Sequence, residues 1–138
     1  MKTLNFIWAC LVVLGISLGN TSCSSDDEPE IEPAEKIFFE IEKQGYSISC
    51  EAQTIDVKIH TNIRVTVNIY GNDIGWISVV NLEQDGEYLT YHLGVKENTG
   101  NEERIGAVAF MPAADVVIPD DAYMGGNTVV ITQSGVIP

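Results

Sequence analysis

Residues 54–60 read Thr54-Ile55-Asp56-Val57-Lys58-Ile59-His60, an alternation of apolar and polar side chains without a break. A period of two puts Ile55, Val57 and Ile59 on one face of an extended chain and the polar partners on the other, the pattern of a half-buried β-strand. The same phase recurs in Val65, Val67 and Ile69, and again in Leu89, Tyr91, Leu93 and Val95. Ile37, Phe39 and Ile41 carry it less cleanly because Phe38 intervenes. Residues 105–111 and 128–133 complete the set, and no stretch between them has helical period. Turn chemistry separates the runs: Gly71-Asn72-Asp73, Gln84-Asp85-Gly86, Asn98-Thr99-Gly100-Asn101 and Gly125-Gly126-Asn127. About seven short strands in roughly one hundred residues predict an all-β fold, an Ig-like two-sheet antiparallel β-sandwich.

Upstream of the strands the composition changes twice. Residues 6–18, FIWACLVVLGISL, are almost wholly apolar, with Lys2 as the only positive charge before them. A spanning helix needs about 20 apolar residues, so residues 1–22 read as a secretory signal peptide. Asn20-Thr21-Ser22-Cys23 resembles the lipobox of bacterial lipoproteins, which implies lipidation at Cys23. Asn20 stands where a leucine is usual, and cleavage after Gly19 is the alternative. Ser24, Ser25, Asp26, Asp27 and Glu28 resemble the export signal of Bacteroidetes lipoproteins, which implies an outer-membrane, cell-surface location. The same residues also read as a plain solvated tether. Residues 24–35 hold six of the twenty acids and two prolines, too polar to form a core, so residues 23–35 are expected to be an acidic tether reaching at most about 40 Å.

Charge narrows the partners. The chain has a net charge of −13, which becomes −14 when the leader takes Lys2 away with no acid. No basic cluster is present to meet phosphates, so nucleic acid is not an expected partner. With Cys10 in the leader and Cys23 lipidated, Cys50 is the one thiol left to the domain at residues 36–138. Its shared phase with Tyr46 and Ile48 predicts a buried, inert side chain.

Catalytic constellations are missing from the sequence. His60 and His92 fall on polar phases and lack the spacing of a metal motif, and no Gly-x-Ser-x-Gly or phosphate-cradling loop occurs. Asp73, Asp85 and Asp120 do not follow the ordered oxygen spacing of a calcium loop. Neither enzymatic activity, nor a metal, nor a cofactor is therefore expected. Carbohydrate binding asks only for an aromatic face with hydroxyl-pairing groups around it. Trp76 after Gly75, the outward-phased Tyr88, and Tyr123 beside Asp120 and Asp121 in the long stretch 111–127 are the candidates. A single mature tryptophan also suits a core, where Trp76 would be lost to a ligand. Asn98 and Arg104 read as architectural, satisfying backbone carbonyls.

Thr61-Asn62, then Gly75-Trp76-Ile77-Ser78, Leu93-Gly94-Val95 leading to Asn98, Arg104, and the closing Val130-Ile131-Thr132-Gln133-Ser134-Gly135 together resemble the BACON domain. Val65 stands where that family typically carries a tryptophan. The resemblance implies a non-catalytic module of Bacteroidetes surface proteins with a glycan, from a polysaccharide or mucin, as ligand. The competing expectation is a structural spacer that takes part in a surface assembly with other proteins.

Overall fold

The computed structural model describes residues 35–71 and 73–138. The signal peptide, Cys23, Ser25, Asp26, Asp27 and Glu28 lie outside the described residues. Residues Glu35–Pro138 form one compact unit of nine strands and a single 3-10 turn. The strands are β1 (Phe38–Ile41), β2 (Gly45–Ile48), β3 (Gln53–Thr61), β4 (Val65–Tyr70), β5 (Ile77–Asp85), β6 (Tyr88–Val95), β7 (Arg104–Pro112), β8 (Tyr123–Met124) and β9 (Thr128–Gln133). They build two sheets, β5-β6-β3-β1-β8 and β2-β9-β7-β4, which close as a β-sandwich. Among the described residues no helix is long and apolar enough to cross a membrane.

Alternation does what period two requires. Ile55, Val57 and Ile59 of β3 and Leu89, Leu93 and Val95 of β6 face inward, in register with one another as Ile55↔Leu93 and Ile59↔Leu89. Val108 and Phe110 of β7 and Val129 and Ile131 of β9 meet them from the other sheet, all four fully buried. Tyr91 and Phe110 clasp across the interior with ring centroids 5.0 Å apart and planes tilted by 59°. A side chain of this size contributes about 1.5–3 kcal/mol when buried, and fifteen apolar residues share this one core.

Nine strands stand where about seven were expected, because the six alternating runs are joined by the short edges β2 and β8 and by the long β5. In β5 the pairing with β6 slips between Val79 and Asn81, so the phase resets within ISVVNLEQD and no alternation is left to read. The strands β2 and β8 pair in parallel with β9 and β1, whereas every other pairing is antiparallel. Gly86, at φ 58°, opens the two-residue turn from β5 to β6, where a positive φ is needed for the strands to keep their twist. Cys50, expected to be buried, is only half-buried: it follows the end of β2, in the bend that leads to β3.

Candidate functional site

The two outer faces of the sandwich differ in chemistry. The outward phase of the four-stranded sheet carries no charged side chain, and its exposed apolar groups are Tyr70, Ile105, Met111 and Val130. The five-stranded sheet turns outward the polar phase of β3, Asp56, Lys58 and His60, with Glu40 from β1 and Tyr88, Thr90 and His92 from β6. An aromatic row crosses this charged face.

Register builds the row. His60 and Tyr88 are direct cross-strand partners, and their rings stack with centroids 4.5 Å apart and planes within 15°. Phe38 of β1 lies on the other side of His60, at 4.5 Å and a 45° tilt. Tyr123 of β8 is the parallel partner of Phe38 and so shares its outward face, while the neighbouring Met124 packs on the core. The row thus runs over β8, β1, β3 and β6. Tyr88 is 57% and Tyr123 58% exposed, which leaves both rings available to a ligand. His60 Nε2 reaches Glu87 at 3.5 Å.

Two shallow depressions flank Tyr88. One, of ≈ 400 Å³, is lined by Glu40, Glu42, Lys58, His60 and Tyr88. The other, of ≈ 390 Å³, is lined by Lys58, Glu83, Gln84, Asp85, Tyr88 and Thr90. A third, of ≈ 440 Å³, sits at the open edge of the sandwich over Leu82, Leu89 and Tyr91, with Asn62, Arg64 and Glu87 among its polar groups. Tyr91 is buried in the core, so that edge offers no aromatic face.

Next to the row, His92 is held more firmly than a surface histidine. Its cross-strand partner Asp56 approaches Nδ1 at 2.6 Å, and Glu83 stands 3.4 Å from Nε2. The hydrogen bond that His92 donates to Asp56, helped by the charges of Asp56 and Glu83, raises the imidazole pKa above its usual 6.5 against a smaller desolvation effect. The sequence search missed this cluster because its three members come from three strands. Among the described residues no group of three or more His, Cys, Asp or Glu side chains is arranged to hold a metal ion.

Trp76 does not belong to the site. It is 4% exposed, and the Arg104 guanidinium covers its ring at 4.4 Å. The ring also lies against Gly106, where an added Cβ would come within 2.9 Å of Trp76 Cζ2. A sugar has no face of this indole to pack on. Asp120 and Asp121 are exposed in a turn closed by the Ala122 N–H to Pro119 C=O bond, at 3.1 Å, and line neither depression. Of the five candidates, Tyr88 and Tyr123 share a face, and Tyr88 lines both depressions on it.

Asn98 and Arg104 act as architecture. Asn98 Nδ2 donates to the Glu102 and Ser134 carbonyls at 2.8 and 3.0 Å. Arg104 donates to Gln133 Oε1 and to the Lys96 and Glu97 carbonyls.

No family model matches the chain, and no curated relative matches it. Among solved structures it is similar to a Bacteroides ovatus GH5 xyloglucanase in complex with a XXXG heptasaccharide, with a TM-score of 0.51 and 14% identity over 71% of this chain. The chain spans 19% of the length of that structure's chain. It is also similar to titin domain M7, with a TM-score of 0.42, 12% identity, and coverage of 73% of this chain and 96% of that one. The likeness to the xyloglucanase is one of fold.

Proposed function

We propose that this protein is a cell-surface lipoprotein, anchored in the outer membrane through Cys23, whose BACON-type sandwich binds glycans without catalysis. The observation that carries the reading is the stack of His60 on Tyr88, continued by Phe38 on an otherwise polar sheet face. Such cross-strand stacking holds the rings in place, and it leaves Tyr88 with an exposed face on which the C–H face of a pyranose can pack. Glu40, Glu42, Lys58 and Gln84 stand beside the rings with acceptors and donors for hydroxyl groups. Fold likeness to a part of a xyloglucanase chain supports the reading only at the level of scaffold, since one fold carries many functions.

The test is glycan-array binding of the full chain beside Tyr88→Ala and Tyr70→Ala. Tyr70 is as exposed as Tyr88 but sits on the uncharged opposite face, so its removal controls for general stickiness. Binding that is lost in Tyr88→Ala and kept in Tyr70→Ala is the expected result. Absence of binding by the unaltered chain would leave the structural spacer as the better reading.

A further inference from the structure

Resting on that reading, the same face specifies which glycans fit. Four carboxylates, Glu40, Glu42, Glu83 and Asp85, line the two depressions, and Lys58 is the one lysine or arginine among their lining residues. An anionic sugar laid on Tyr88 would meet this excess at distances well inside the Debye length, about 8 Å at physiological salt, so the repulsion is not screened away. Charge elsewhere adds to it, since the whole chain carries −13. A neutral sugar meets the same carboxylates as hydrogen-bond acceptors for its hydroxyls, and charged acceptors bind hydroxyl donors more strongly than neutral ones do.

Length follows from topology. The row from Tyr123 to Tyr88 crosses β8, β1, β3 and β6, three strand spacings or about 14 Å, and the second depression continues beyond Tyr88 toward β5. A single pyranose covers one depression and leaves the other empty. We propose that the ligand is a neutral, extended oligosaccharide that runs across the strands over Tyr88 with sugar units on both sides, and that uronic-acid, sialylated and sulfated chains are rejected.

The experiment measures retention of the full chain on immobilised glycans of graded length: neutral β-linked glucose, xylose and galactose oligomers against galacturonic-acid oligomers and sulfated glycosaminoglycan fragments. Affinity for the neutral series should rise at least tenfold from monosaccharide to the longer oligomers, with no retention of the anionic series at physiological salt. A double variant, Glu83→Gln with Asp85→Asn, should narrow the gap between the two series without abolishing neutral binding. Equal or tighter binding of anionic chains, or a monosaccharide bound as tightly as its oligomers, would overturn this inference while leaving glycan binding in place. Retention on no member of the panel would overturn the binding reading itself, and this inference with it.

Discussion

Arg104 Nε donates to Gln133 Oε1 at 2.8 Å across the β7–β9 pairing, and both side chains also donate to the Lys96 carbonyl just past β6 of the other sheet, which ties the two sheets at one end of the sandwich. Gln133 is fully buried, and its Nε2 lies within 3.2 Å of the Cys50, Glu51 and Lys96 carbonyls. Arg104 sends its other donors to Lys96 and Glu97 and spreads over Trp76. One amide and one guanidinium therefore satisfy backbone groups at the ends of β2 and β6 that no strand pairing reaches.

Gln133→Leu should remove that arrangement while preserving volume. It takes the acceptor from Arg104 Nε and the amide donor from the Glu51 carbonyl, while the Cys50 and Lys96 carbonyls keep the Asn98 N–H and Arg104 Nη2, and unpaired buried groups cost about 1–3 kcal/mol each where water cannot replace the partner. The expected loss is roughly 2–4 kcal/mol, read as a lower denaturant midpoint at unchanged slope. A shift under about 0.5 kcal/mol, the usual size for a surface position, would show that water takes over the role.

Trp76→Ala should destabilise the domain by about 3–5 kcal/mol, as truncation of a large buried aromatic does. Gly106→Ala tests the same packing from the other side, because its methyl group would overlap the indole and the Ile77 side chain. Overpacking of this kind costs about 1–3 kcal/mol. Thermal melts of both variants check the pair, and an unchanged melting temperature in either would mean that the tryptophan is not wedged as described.

His92 predicts a stability that depends on pH. Its pKa is raised in the folded protein, so the imidazolium binds its proton more tightly there than in the unfolded chain. The resulting stabilisation is fully present below the unfolded value of 6.5 and is lost as pH rises through the higher folded value. Denaturant midpoints measured across that window should fall more steeply for the unaltered protein than for His92→Gln. Parallel profiles would show that the contacts with Asp56 and Glu83 carry no net charge coupling.

Cys23→Ala should abolish metabolic labelling by fatty acid and release the protein from the membrane fraction, because two or more acyl chains are what make such an anchor stable. Labelling that persists in the variant would place the lipid elsewhere or remove it from the account. Replacing Asp26, Asp27 and Glu28 with Ala should spare the label but reduce protease access on whole cells.

The strand phases of β3, β4 and β6, the turns between them and the all-β class were legible because each depends on neighbours two residues apart. In β5 that locality failed: one slipped residue at Val80 erased the alternation, although the strand makes the full edge of its sheet. Trp76 shows the same limit at a single side chain, since its burial depends on Arg104 and on the missing Cβ of Gly106, some thirty residues away. Tyr88 and Tyr123 could be named as outward residues, but not as members of one row with Phe38 and His60. That row exists because the register Phe38↔Tyr123 and His60↔Tyr88 brings four strands side by side. The sequence by itself determined which face of the alternating strands meets water, since alternation is local. Only the tertiary structure decided which outward side chains became neighbours, because strand order and register are set by the packing of the shared core and not by any stretch of chain alone.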